Sequence, residues 1–203
     1  MNAPDNGRLT QPERRIRSRN AILAAAARGI ALHGYSALSL TRVAQEAGYT
    51  RGALYHQFAS KEDLAIAVVA WIHQTWEAEV GIAFTSDGDP AETLLNLARR
   101  HAHYCRRDVA AVLMNLRVEF SHRDHPVGHA ITDIVETLVD RCQSLIEAGL
   151  EAGTIPPGPP SREMALAMVG ALEAVPIQLV GRPPHDMVLT ERTVRGILAL
   201  PPS

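Results

Sequence analysis

Two sets of residues in this 203-residue chain have types and spacing that could do chemistry. One is a group of histidines and a cysteine: His101, His103 and Cys105, followed by His122, His125 and His129. Imidazole and thiolate are transition-metal ligands, and residues four apart share a helix face, so His101 with Cys105, and His125 with His129, could each offer two. His101 and His103 cannot point together. No C-x-x-C or H-E-x-x-H spacing accompanies them, so lining of an interior or a solvated surface is the plainer expectation, and no metal or other cofactor is expected. The second set lies in SLTRVAQEAGYTRGALYHQFASKEDL, Ser39 to Leu64. Arg51 offers a planar fork that fits two acceptors on guanine or a phosphate, and small residues at Gly52 and Ala53 let the backbone come close. Thr41, Arg42, Thr50, Tyr55, His56 and Lys61 surround them with further polar groups. Tyr55 and Lys61 suit phosphates, contacts that position a protein without specifying sequence. There is no nucleophile elbow, P-loop or dinucleotide fingerprint, so no enzyme is expected.

The second set needs two short helices and a tight turn to hold it. Ser39 can cap a first helix whose Leu40, Val43, Ala44 and Ala47 share one face. Gly48 ends it in a left-handed turn, and Thr50 can cap a second helix that carries Ala53, Leu54 and Phe58 inward. This is a helix-turn-helix pattern, in which the N-terminal end of the second helix approaches the major groove of DNA.

The ordered positions from Arg19 to Leu64 resemble the DNA-binding domain of the tetracycline-repressor (TetR) family: Ile22-Leu23, Ala25-Ala26, Gly34-Tyr35, Val43-Ala44, Ala47 to Thr50, Gly52 to Tyr55, Phe58, Ser60 to Glu62 and Leu64. Gly29, Ile30 and Gln57 depart from the usual pattern at positions where a larger apolar residue, an aromatic, and His or Tyr are common. Gly29 should cost roughly 1 kcal/mol against Ala within a helix. The resemblance implies an all-α chain: a three-helix DNA-binding domain at 12–62 after an arm at 1–11, then a ligand-binding and dimerisation domain at 63–203. It also implies a homodimer that binds a pseudo-palindromic double-stranded operator and a small-molecule effector.

Composition fits that division. Hydrophobic residues make up 46%, ample for a packed core, while no stretch approaches the roughly 20 apolar residues of a membrane span, and the polar N-terminus lacks a signal-peptide core, so a cytoplasmic location is expected. Two cysteines, Cys105 and Cys142, suit a reducing compartment. Residues 1–61 hold nine basic against three acidic side chains, whereas 62–203 hold eleven against nineteen. A basic first third is the electrostatic footprint of a phosphate-binding module; an acidic remainder should face away from DNA.

Periodicity predicts the remaining helices. The first should run from Glu13 to His33, burying Ile16, Leu23, Ala26 and Ile30. Ser60 with Asp63 opens a long helix with two apolar faces, one through Leu64, Val68, Trp71, Thr75, Ala78 and Ile82, the other through Ile66, Val69, Ile72, Trp76 and Val80. It is the expected link between head and body. Further helices are expected over Pro90–Arg107, Asp108–Phe120, Pro126 to about Gly149, from Ser161 onward, and near Leu189 to Leu200, with a turn at Ser86–Pro90 and a linker at Thr154–Pro160. Pro176 should kink the helix that Ser161 caps. Apolar bulk mixed with a few polar groups nominates Trp71, Thr75, His101, Tyr104, Cys105, Met114, Arg117 and Phe120 as lining for a small, largely apolar ligand. The dimer surface is expected on the last two helices at Leu166, Val169, Leu172, Val175 and Ile197. A regulator, most simply a repressor released by its ligand, is the reading these expectations give, with a metal sensor built on the histidine group as the alternative.

Overall fold

Helix α1 (Gln11–His33) starts at a capping box: Thr10 accepts from the Glu13 N–H, and the Glu13 carboxylate accepts from the Thr10 N–H at 2.7 Å. That start lies two residues before the expected one. The structure, a computed structural model, describes residues 10–85, 87–107 and 111–201; the rest of the expected arm, Ser86 of the expected turn, and Asp108 and Val109 of the expected sixth helix lie outside the described residues. The buried stripe of α1 begins at Ile22 and continues through Leu23, Ala26 and Ile30. Ile16 is 61% exposed, a correction to its expected burial, because the first core cluster takes nothing from α1 before Ile22.

Local capping then sets three helices. Ser39 accepts from the Arg42 N–H to open α2 (Leu40–Glu46), Gly48 turns the chain at φ 77°, and Thr50 accepts from the Ala53 N–H at 3.2 Å to open α3 (Arg51–Tyr55). Ser60 accepts from the Asp63 N–H at 3.0 Å, and Asp63 reaches back to the Ala59 N–H, opening α4 (Lys61–Glu79). A 3-10 turn at Gly81–Thr85 follows, so Ile82, expected on the helix's inner face, is exposed, as is Ala78.

The body comprises α5 (Pro90–Tyr104), α6 (Ala111–Phe120), α7 (Pro126–Glu151), α8 (Ser161–Gln178) and α9 (His185–Ile197), with no strand among the described residues. Asp89 caps α5 as expected. Ser161 does not cap α8: Pro160 holds that position, and the Ser161 hydroxyl donates to Glu147. The stretch Thr154–Pro160 is more than a linker, because Ile155 is buried against Gly149, where a Cβ would lie 2.6 Å from its Cδ1. Pro176 is buried inside α8.

Two cores fill the molecule. One joins α1 to α4 with Val112, Leu116 and Phe120 of α6 and Val127 and Ile131 of α7; the other joins the end of α4 to α5, α7, α8 and α9. Helices α4 and α7 therefore belong to both. The first core runs straight across residue 62, where a domain boundary was expected, so the head and the near end of the body pack as one unit.

A polar clamp reinforces that union. Glu119, on α6, accepts from the Tyr35 and Ser36 N–H groups at 2.8 Å each and from the Ser36 hydroxyl, closing the turn after α1. Gly34 makes room for it, being at φ 75° with the carboxylate 3.3 Å from where a Cβ would stand. From the other side the Lys61 ammonium donates to the Ser36 carbonyl at 2.9 Å and lies 4.7 Å from the centre of the Tyr35 ring. Partial burial alone would raise the Glu119 pKa, but the Ser36 hydroxyl, the two backbone N–H groups and the charge of Arg123 outweigh it and hold it below its ordinary value. Replacing Glu119 by Ala should cost about 2 kcal/mol, since hydrogen bonds to a charged acceptor are among the stronger ones. Urea unfolding of the variant checks this; a loss under about 0.5 kcal/mol, the level of an ordinary surface change, would show the clamp to be idle.

Candidate DNA-reading surface and interior cavity

The tight turn before α3 leaves its first residues outside the core. Thr41 and Arg42 on α2, and Thr50, Arg51, Gly52, Tyr55 and His56 around α3, are exposed, while the Ala53 side chain is partly buried. Arg51 donates to the Tyr55 hydroxyl at 3.4 Å and its guanidinium sits 5.3 Å from that ring, so the fork lies along the helix surface. Gln57 fastens the end of α3 to α1 by donating to Ser18 at 3.1 Å, and its Oε1 is buried without a partner. Lys61 differs from the other residues nominated for DNA: its ammonium is tied to Ser36 and Tyr35.

A second feature lies inside the body. Helices α4 to α8 surround a cavity with about 850 Å³ of empty space, part of it continuous with solvent. Its wall is mostly apolar, with Ile72 and Trp76 from α4, Leu113 and Met114 from α6, Ile131, Ile134, Val135 and Leu138 from α7, and Ile177 from α8. Four nominated ligand residues line it: His101, Tyr104, Cys105 and Met114. The other four do not. Trp71 packs on the first core, the Thr75 hydroxyl turns back to the Trp71 carbonyl, Arg117 is held outside by Glu173, and Phe120 stacks on His125 at 4.4 Å and meets Tyr35 edge-on at 5.1 Å. The face of α4 that meets the cavity runs through Ile72 and Trp76, which sequence periodicity had already placed together on one stripe.

The polar groups in this wall are satisfied by the protein. Trp76 Nε1–H donates to His101 Nδ1 at 2.9 Å, and the ring also bonds the Leu172 backbone. Burial pushes the His101 pKa down to about 4, so the ring is neutral; with Nδ1 accepting, its proton sits on Nε2. What surface His101 retains faces the cavity. The Tyr104 hydroxyl donates to the Ile72 carbonyl at 3.3 Å, and burial pushes that phenol and the Cys105 thiol up to about 12. At the rim Arg141 pairs with Glu77 at 2.6 Å and Arg117 with Glu173 at 2.6 Å.

The histidine group disperses. His125 caps α7, accepting from the Val127 N–H, and lies 3.3 Å from Glu62; His129 meets Asp124 at 2.9 Å; His103 and His122 are exposed. Nδ1 of His101 is engaged by Trp76, and Cys105 is a buried free thiol. No group of three or more His, Cys, Asp or Glu among the described residues could hold a metal ion.

The expected dimer residues divide as well. Val169 and Leu172 are 3% and 1% exposed in the single chain, so they serve its own core, which corrects their assignment to an interface. The apolar excess of α8 is two faces: Met164, Ala165, Met168, Val169 and Leu172 point inward, while Leu166, at 46% exposure, leads an outer row with Ala167, Gly170 and Ala174. On α9 Val188 and Leu189 are exposed; Val175 on α8 is half-buried, and Ile197, half-buried, packs on the second core.

The neutral His101 gives a pH signature. Its folded pKa lies below the unfolded value of about 6.5, so the unfolded chain binds the extra proton and stability falls as pH drops from about 6.5 towards 4. His101→Gln should remove about 3 kcal/mol of that pH dependence. Unfolding curves of both proteins between pH 7 and pH 4 measure the difference, and parallel losses would place the His101 pKa near its ordinary value.

Residues 22–68 match the family described as bacterial regulatory proteins, tetR family. The chain is 26% identical over 152 residues to the A-factor receptor protein of Streptomyces griseus, covering 73% of this chain and 50% of that protein. It spans about half the length, or less, of the curated relatives it matches first. Among solved structures, AibR in complex with isovaleryl coenzyme A and operator DNA superposes with a TM-score of 0.71 at 22% identity, over 90% of this chain and 96% of that one. FadR of Bacillus subtilis in complex with stearoyl-CoA superposes with a TM-score of 0.75 at 18% identity, over 89% and 97%. Those likenesses establish a shared fold. No helix among the described residues is long and apolar enough to cross a membrane. Helix-turn-helix and matched segment agree: residues 22–68 carry the domain of the bacterial regulatory proteins, tetR family, on an all-helical fold shared with a solved TetR-family transcriptional regulator of Streptomyces coelicolor.

Proposed function

We propose that this chain is a cytoplasmic, homodimeric repressor that leaves its operator when a small, largely apolar molecule fills the cavity. The observation that carries the reading is shared support: α4 and α6 line the cavity and also hold the head, α4 through Lys61 and α6 through Glu119. Met114 on α6 stands five residues before Glu119. A ligand pressing on Leu113, Met114, Ile72 and Trp76 would tilt helices whose other ends fix the turn after α1, and so the aim of α3. Such coupling requires a ligand that prefers the tilted state; a preference of about 3 kcal/mol lowers DNA affinity more than a hundredfold. The complexes of AibR and FadR with acyl-coenzyme A thioesters support an effector with an apolar portion. The dispersal of the histidines removes support for metal sensing, and no catalytic role is proposed.

Arg51, Thr50, Gly52 and Ala53 would meet base edges and phosphates first, with Thr41, Arg42, Tyr55 and His56 beside them and Lys61 serving mainly to brace α4. Binding to the DNA upstream of its own gene, followed by fluorescence anisotropy, should weaken steeply with salt. Arg51→Ala should cost about 1–3 kcal/mol and relax sequence preference, while Tyr55→Phe weakens all sequences alike. An Arg51 variant with unchanged affinity and preference would contradict the contact.

The outer row of α8 is the proposed dimer surface, with Leu166 at its centre. Leu166→Glu should yield a folded monomer that has lost operator binding, since one head reads only one half-site. Sedimentation showing an unchanged dimer would move the interface elsewhere.

A further inference from the structure

We infer that the cavity selects uncharged ligands and turns away free carboxylates, with the Glu77–Arg141 pair as the specificity-determining element. This rests on the reading of the cavity as an effector site. Arg141 is the guanidinium that lines the wall, and its charge is already paired with Glu77. Its guanidinium lies 3.8 Å from the centre of the Phe84 ring, donates to Glu77 at 2.6 Å and to the Gly81 carbonyl at 3.4 Å. Glu77 is paired in turn. Its carboxylate lies against Gly81, and His73, also in the cavity wall, lies 3.9 Å away on the same helix. The other acid in the wall, Glu173, is held by both Arg117 contacts. His101 and Tyr104 spend their polar atoms on Trp76, Leu172 and Ile72.

A carboxylate entering this space has two courses. It can sit among apolar side chains without a counter-ion, where desolvation strongly favours its protonated form, a small fraction at neutral pH. Or it can displace Glu77 from Arg141, which strips one acid of its partner to serve another and adds negative charge beside Glu77 and Glu173. An alcohol, ester or lactone of the same chain length meets neither obstacle and keeps the same apolar contacts.

Isothermal titration of the whole protein at pH 7.5 with decan-1-ol, methyl decanoate and decanoate decides the matter. The alcohol and the ester should bind at least tenfold more tightly than the acid. Glu77→Gln, which leaves Arg141 without its counter-ion, should shift the ratio of acid to alcohol affinity at least tenfold towards the acid. Decanoate binding as tightly as decan-1-ol in the unaltered protein overturns the inference whether or not the variant folds, as does a folded variant with an unchanged ratio. Failure of all three compounds to bind, in a protein that still binds DNA, overturns the effector reading and the selectivity with it.

Discussion

The carboxylate of Glu119 on the Tyr35 and Ser36 N–H groups is the contact on which the rest of the arrangement depends. A helix-turn-helix of two short helices, α2 and α3, cannot bury enough surface to hold a fixed orientation by itself. Here α1 and α4 frame it, and α6 closes the turn after α1 from a position more than 80 residues further along the chain. Around that clamp Tyr35, Phe120 and His125 pack ring against ring, and Glu62 meets His125, so the joint is apolar at its centre and charged at its edge. The head is aimed by the body.

The cavity gains its significance from the same joint. An empty apolar space ordinarily costs stability, because its lining forfeits contacts that a packed core would make. A cavity kept between α4 and α6, the two helices that grip the turn, places that cost where, in the proposed function, filling it would move the head. Its satisfied polar groups give a second property. With Trp76, His101 and Tyr104 bonded within the protein, little in the wall asks for a polar partner, and the proposed effector would be recognised by shape and apolar contact.

Much of this was legible in the sequence wherever the cause was local. Ser39, Gly48, Thr50, Ser60 and Asp89 act within four residues of themselves, and each sits at the helix end its chemistry predicts. Inward faces were legible on helices with one apolar stripe and ambiguous on those with two. Helix α4 has two apolar faces, so the sequence separated Trp71 from Trp76 but nominated Trp71 for the ligand, and only tertiary packing sends Trp71 to the head and Trp76 to the cavity. Helix α8 posed the same problem, and Val169 and Leu172 went to the chain's own core instead of the outer face. The Glu119 clamp and the Glu77–Arg141 pair join residues 83 and 64 positions apart or more, and nothing in the local pattern marks a glutamate as the partner of a distant amide.

The central claim is that cavity and head share one mechanical unit through α6. Amide hydrogen exchange resolved at Tyr35 and Ser36, measured with and without saturating decan-1-ol, tests it most directly, because these two N–H groups are the ones Glu119 holds. Faster exchange at both when the cavity is filled is the predicted result. Protection gained along the cavity wall, with Tyr35 and Ser36 unchanged, would contradict the account.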